Sequence, residues 1–347
     1  MTLFSSAISD HAVQIRSYQP GDGKLISQLF RAVYGHSYVY PDIYLPRLIE
    51  AYLASGKWYS ALAFYQGRLV GHASLVKETE RQDQAEFALV AVSPEFQGKG
   101  IARSLGHTLC HYAKQQQYRL LTVKQVCSHQ KSQHLAQSLG FYSTALMLDY
   151  VDSPFGLPEP ESIVQGILPL QAFPLPKLNW PQPWQNWAIQ IGQRVGEFTA
   201  GGQQGDDTPC SSNTLLSKQD SARQASTRQC SSKINGRRLE ITAYEIDPEF
   251  VAEVIDYPAS QLIYLKLPAC EQALKLYPQL KKGGFRFAGL CPDAHEGWFL
   301  LWLRGYQSTR YEFCDLNTQN LYQMELGNTR EYTFQPWANA TIPPVSY

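Results

Sequence analysis

The densest chemistry in this chain of 347 residues lies between Phe87 and Ala102. The apolar run Phe87 to Val92 reads as a buried strand, Ser93-Pro94-Glu95-Phe96 breaks it, and Gln97-Gly98-Lys99-Gly100-Ile101-Ala102 opens a helix. The first turn of a helix offers unpaired backbone N–H groups and the positive end of the helix dipole. Glycine lets the backbone turn and approach a ligand with no Cβ in the way. Strand, glycine turn and helix start together suit an anion such as a pyrophosphate, although the same order also serves as a plain strand–turn–helix joint. No Gly-Lys-Ser/Thr closes the loop and no Gly-x-Gly-x-x-Gly is present, so neither a Walker loop nor a dinucleotide-binding fingerprint is read.

Other reactive groupings are less directed. His107 and His111 are spaced to share a helix face, with Cys110 between them, but they point away from the Leu105/Leu109/Tyr112 stripe and read as a solvated face rather than a metal site. Cys127 and His129 could share a strand face, yet no third group orients a Cys–His nucleophile. Trp180, Trp184 and Trp187 read as packing between domains rather than a ligand platform.

The elements that must position these residues follow from periodicity. Val13–Tyr18 is an alternating strand. Gly21–Tyr34 and Tyr44–Leu53 have helical spacing. Trp58–Tyr65, Arg68–Val76 and Gln84–Ser93 are strands, the first two joined at Gln66-Gly67. A helix after Gly100, a strand Arg119–Val126, a helix Lys131–Leu139 ended by Gly140, and a strand Phe141–Val151 complete a first domain, 12–151. The stretch 152–199 is rich in Pro and Trp, and its prolines predict a connector without long regular elements. Residues 200–235, dominated by Gly, Ser, Gln and Thr, predict a flexible linker. Texture returns in 236–347, with strands Leu239–Tyr244, Leu262–Leu267, Phe285–Leu290 and Trp298–Leu303 and a helix Ala269–Lys281. Its Gly283-Gly284-Phe285 echoes Leu139-Gly140-Phe141.

Gln97-x-x-Gly100-x-Ala102, its Val92-to-Gly100 surroundings, Leu139-Gly140-Phe141 and the element order over Val13–Tyr150 resemble the GNAT superfamily of N-acetyltransferases. The resemblance implies an α/β (α+β) fold: a mixed, mostly antiparallel sheet flanked by helices. A smaller α+β C-terminal domain, read as a partial GNAT-like unit without a cofactor loop, would follow it. It implies acetyl-CoA as acyl donor, with the pyrophosphate on the N–H groups of Gln97, Gly98, Lys99, Gly100, Ile101 and Ala102. The pantetheine arm would lie on Val90, Ala91 and Val92, with an N–H near Val92 polarising the thioester carbonyl. Glu86 stands where some lysine-acetylating members place a catalytic base, with Glu78 and Glu80 as substitutes. The tyrosine that protonates the departing thiolate in many members is replaced by Ala136, and His129 takes the place of a common cofactor-contacting Asn. Tyr142 or His129 would then supply the proton.

Composition narrows the setting. Lys+Arg and Asp+Glu balance at 30 each, which argues against a broad nucleic-acid footprint. No apolar run is long enough for a membrane span and no secretory signal is visible. Seven cysteines without CxxC pairs predict a reducing cytoplasm. The expected activity is acetyl transfer to a primary amine on a small molecule or a protein, with no metal and with room for a homodimer. The competing expectation, from the Ala136 departure, is a non-catalytic acyl-CoA-binding regulatory module.

Overall fold

The computed structural model describes residues 12–77, 83–151, 159–196, 230–293, 297–308 and 311–327. In the first half, β1 (Gln14–Ser17) is followed by α1 (Gly23–Tyr34), α2 (Pro46–Ala54), β2 (Trp58–Tyr65), β3 (Arg68–Val76) and β4 (Gln84–Val92). Then come α3 (Ile101–Gln115), β5 (Leu120–Val126), α4 (Lys131–Ser138), β6 (Tyr142–Val151), β7 (Glu161–Pro169) and α5 (Gln182–Val195). The second half comprises β8 (Cys230–Asn235), β9 (Arg238–Ala243), α6 (Pro248–Asp256), β10 (Leu262–Pro268) and α7 (Glu271–Lys275). It ends with α8 (Tyr277–Lys282), β11 (Arg286–Pro292), β12 (Trp298–Arg304) and α9 (Leu316–Leu321). No helix among the described residues is long and apolar enough to cross a membrane.

All twelve strands join one sheet, in the order β1-β2-β3-β4-β5-β7-β6-β11-β12-β10-β9-β8. The sheet is mixed and mostly antiparallel, with parallel pairs at β4/β5 and β9/β10. From β3 to β8 it reads the same in both directions about the β6/β11 joint. β4, α3, β5, α4, β6 and β7 are matched in succession and pairing sense by β9, α6, β10, α7–α8, β11 and β12. The joint pairs Gly289 with Ala145. Gly289 has φ 115, and a Cβ there would stand 2.3 Å from the Thr144 carbonyl oxygen, so only glycine allows the strands to meet. The largest core crosses the joint, running from Leu146, Ile163 and Trp184 to Phe287, Leu300 and Trp302.

The Pro/Trp-rich stretch is not a connector without regular structure. It holds β7, which lies between β5 and β6, and the fourteen-residue helix α5. The prolines sit where they do no harm: Pro160 just ahead of the strand, Pro169 at its last residue, and Pro183 in the first turn of the helix. Trp184 is fully buried, stacks on Phe287 at 4.0 Å and donates from Nε1 to Glu325 at 3.0 Å, packing the helix against the second half. The predicted linker also ends early. Residues 230–235 form edge strand β8 on β9, and residues 200–229 lie outside the described residues. The single helix expected over Ala269–Lys281 is two, because Pro278 restarts it at the first turn of α8.

Candidate active site

One residue too many in β4 creates the site. β3 and β4 pair as Ser74↔Ala88 and then His72↔Ala91, so β4 carries a bulge between these pairs. Leu89 sits in it at φ 55, a conformation L-residues avoid. The bulge also slips the alternation. Ala85 and Phe87 face the core beneath α3 and α4, whereas Leu89 and Ala91 face the core beneath α1 and α2. A bulge bends its strand away from the partner on the far side. The parallel pairing of β4 with β5 accordingly runs from Gln84↔Leu120 to Phe87↔Val123 and stops there, while β5 continues to Val126 against β7. The end of β4 and the end of β5 therefore diverge. Ser93 N–H donates to Val70 O at 2.9 Å, so by strand alternation Val90 and Val92 turn their backbone groups to the opening and Ala91 turns its own to β3. Of the three residues expected to line the opening, Ala91 thus spends its backbone on the sheet. Tyr34 Oη donates to Val90 O at 2.9 Å, and Gln97 Nε2 to Val92 O at 3.2 Å.

Directly after β4 the chain reaches the start of α3. Gly98 and Gly100 have φ 75 and 78, and a Cβ at either would meet nothing within 4 Å. The glycines are there for the turn, and the space beside them is open. Gly100 is the N-cap, with no side chain capping the helix and no acidic residue in its first turn. The N–H groups of that turn remain available to an anion, with exposed Lys99 and Arg103 beside them. Ile101 is buried and anchors the turn to β3, where a Cβ on Gly71 would come within 2.7 Å of its side chain.

Glu86 lies at the base of the opening, mostly buried, and accepts from Lys124 Nζ of β5 at 2.7 Å through Oε2. Burial acts to lower Lys124, but the charges of Glu86, Tyr150 and Tyr40 overcome it and hold the amine well above its ordinary pKa. Tyr38 and Tyr40, from the segment between α1 and α2, are raised by burial and further by Glu86. On the other side, Lys124 Nζ lies 5.7 Å from the Tyr150 ring and Arg238 of β9 lies 3.8 Å over the same ring. A residue of the second half thus stands at the edge of the group around Glu86. None of Lys124, Tyr38, Tyr150 or Arg238 is singled out by a local motif. The alternation of β5 could have placed Lys124, but not its partner.

The remaining expected residues separate. His129 is exposed in the turn that follows β5. Tyr142 is not near Glu86. It pairs with Ile167, which pairs with Thr122, so it stands two strands away from the paired base of β5. Its hydroxyl is raised by burial, with Arg194 and Asp315 as its charged neighbours. Ala136 is buried in the core beneath α3 and offers no acid. His107 and His111 are exposed on α3, and Glu78 and Glu80 lie outside the described residues.

The matching place in the second half is closed. β9 pairs with β10 over five positions, from Leu262↔Arg238 to Lys266↔Thr242, with no divergence. The start of α6 is capped by the Asp247 carboxylate, which accepts from the N–H groups of Glu249 and Phe250. A protein carboxylate fills the position that α3 leaves free.

The model of the acetyltransferase (GNAT) family matches residues 25–141. Three of the solved structures similar to the chain are the following. The ribosomal-protein-S18-alanine N-acetyltransferase of Escherichia coli is 18% identical, with 46% of this chain and 95% of that chain covered and a TM-score of 0.38. An N-acetyltransferase of Staphylococcus aureus Mu50 is 19% identical, with 46% and 99% covered and a TM-score of 0.39. A Salmonella typhimurium protein solved with its cofactor acetyl-CoA is 23% identical, with 46% and 95% covered and a TM-score of 0.39. No curated protein matches the chain. Residues 25–141, which contain the bulged β4, the uncapped start of α3 and Glu86, are a domain of the acetyltransferase (GNAT) family.

Proposed function

We propose that the chain is an acetyl-CoA-dependent N-acetyltransferase, moving the acetyl group to a primary amine by direct attack on the thioester. The observation that carries this reading is the uncapped N-terminus of α3 directly after the diverging half of β4. The N–H groups of Gln97 to Ala102 would hold the pyrophosphate, with Lys99 and Arg103 adding charge. Val90 and Val92 would hold the pantetheine arm by their backbone groups, leaving an N–H near the thioester carbonyl. Acetyl-CoA supplies the acyl group as a thioester activated for attack.

The acceptor amine enters beside Tyr38, Tyr40, Tyr150 and Arg238. An ammonium has no lone pair, so it must lose a proton before it attacks. Glu86 takes that proton on Oε1, which receives no hydrogen bond from the described residues, while Lys124 holds Oε2 and fixes the orientation of the carboxylate. A thiol near its ordinary pKa of about 8.5 leaves without a strong acid, and exposed His129 would return the proton. The free cysteines fit a reducing cytoplasm.

The test is thiol release from acetyl-CoA against a broad panel of primary amines, with Gly100→Glu as the control. Amine-dependent release that the substitution abolishes is the expected result. Tight CoA binding with no turnover on any amine makes the chain an acyl-CoA-binding regulatory module instead, and no CoA binding at all overturns both readings.

A further inference from the structure

His72 is fully buried in the middle of β3, beside the buried hydroxyls of Ser60 and Ser74. Its ring nitrogens are both engaged. Nδ1 is 2.8 Å from the carbonyl oxygen of Leu89, and Nε2 is 3.0 Å from Ser60 Oγ and 3.3 Å from Ser74 Oγ. A carbonyl only accepts, so Nδ1 carries the proton and donates it, and Nε2 accepts from a serine hydroxyl. Burial lowers the imidazole to about 4, so the ring is neutral at physiological pH. The edge of the Phe30 ring packs against it at 5.6 Å.

The carbonyl that His72 binds belongs to the one residue of β4 at positive φ. Leu89 has no Cβ-free escape as glycine would, and its bulge takes its carbonyl out of the β3 ladder at the missing pair between Ser74↔Ala88 and His72↔Ala91. An unpaired buried carbonyl opposes the bulge, and flattening β4 would satisfy it by restoring regular pairing. His72 satisfies it where it stands. The serines then hold the ring in the required tautomer from β2 and β3.

We propose that His72 is a positioning residue for the cofactor: by donating Nδ1–H to Leu89 O it holds the bulge that parts β4 from β5, and so keeps Val90 and Val92 facing the opening. The role rests on the acetyl-CoA reading above. Its action is indirect, since His72 lies beneath the strand and touches neither the opening nor the loop at Gln97 to Ala102.

The test measures binding of CoA to the full chain by calorimetry, with circular dichroism melting as a check on folding. Substitution His72→Leu keeps bulk and removes the donor, and CoA affinity falls about tenfold, the scale of leaving one buried acceptor unsatisfied. The substitution His72→Asn, whose side-chain N–H can reach the place of Nδ1, retains affinity, whereas His72→Gln, which reaches toward the place of Nε2, does not. Adding Leu89→Gly to His72→Leu regains part of the lost binding, because glycine removes the cost of φ 55 although the carbonyl stays unsatisfied. Loss of a merely structural contact would not be repaired in this way. Unchanged affinity in folded His72→Leu overturns the role, as does equal affinity of His72→Asn and His72→Gln should the leucine variant not fold. Absence of CoA binding in the wild-type chain overturns the acetyl-CoA reading itself, and this role with it.

Discussion

Glu86→Gln is the natural test of a general base, but here the carboxylate has a second duty. Its Oε2 holds Lys124 Nζ at 2.7 Å, and the two side chains are only 14% and 23% exposed. An exposed pair contributes at most about 1 kcal/mol, whereas removing one partner of a fully buried pair costs about 3–5 kcal/mol because the other charge is stranded. The residual exposure places this pair between these limits, so Glu86→Gln is expected to lose about 2 kcal/mol of stability. In Glu86→Gln/Lys124→Met no stranded charge remains, and stability returns to within about 1 kcal/mol of wild type; Lys124→Met alone strands Glu86 and is also expected to lose about 2 kcal/mol, so the cycle gives a coupling of about 3 kcal/mol. Lys124 has a folded pKa raised above its unfolded value. Its contribution is therefore fully present below about pH 10 and lost only as pH rises through the folded pKa. In Glu86→Gln burial alone acts on Lys124 and lowers its folded pKa, so the variant regains stability as pH rises and its gap to wild type narrows from about pH 7 to 9. Turnover behaves differently: Glu86→Gln falls roughly 10²–10⁴-fold, and the double variant stays equally slow, since neither has a base. Urea unfolding and thiol-release kinetics on the four proteins separate the two duties. Additive stability changes would refute the ion pair, and wild-type turnover in Glu86→Gln would refute the base.

Three further outcomes are expected. Gly100→Glu puts a carboxylate and a strained side chain at the uncapped start of α3, and calorimetric CoA affinity should fall at least about tenfold, on the scale of a charge-assisted hydrogen bond. Gly289→Ala forces a Cβ to 2.3 Å from Thr144 O at φ 115 and should cost about 3 kcal/mol or more in urea unfolding, with both halves affected because they share one core. His72, at about 4 when folded against about 6.5 unfolded, gains a proton on unfolding between these values. Its stability contribution is complete above pH 6.5 and is lost as pH falls toward 4, by about 3 kcal/mol in all. The acid limb of a denaturation profile should be shallower by that amount in His72→Asn.

The parts of the site that were legible in the sequence are those encoded within a few consecutive residues. Gln97 to Ala102 is such a part, because glycine spacing and a helix start are local properties. Strands β2 and β3 are another, since alternation and the Gln66-Gly67 turn fix Trp58–Tyr65 and Arg68–Val76 to the residue. What was missed depends on partners distant in the chain. β7 reads as a connector because its prolines count as breakers until the strand's ends are known. β8 reads as linker because Cys230-Ser231-Ser232 has little to bury, and it is a strand only because β9 gives it a ladder. Lys124 meets Glu86 through parallel pairing across α3, and Arg238 meets Tyr150 across the joint. Tyr142, plausible by proximity to Gly140 in sequence, is carried two strands away once β7 inserts between β5 and β6.

The two matched halves show how little separates an open strand end with a free helix start from a closed one. Each half has a strand, a helix start and a parallel neighbour in the same order. In the first, one inserted residue at Leu89 throws β4 out of register with β3, and the divergence from β5 follows. In the second, β9 has no such insertion and stays paired with β10 from Arg238 to Thr242. The helix starts differ in the same sense: glycine at Gly100 leaves the N–H groups of α3 free, and Asp247 supplies the anion for α6 from the chain itself. Removing that carboxylate by Asp247→Ala would cost about 1 kcal/mol of helix capping, but it would not open β9 from β10. A second cofactor position would require the bulge as well as the free helix start. Without them the second half is left to pack against the first, and through Arg238 over Tyr150 it borders the opening between β4 and β5.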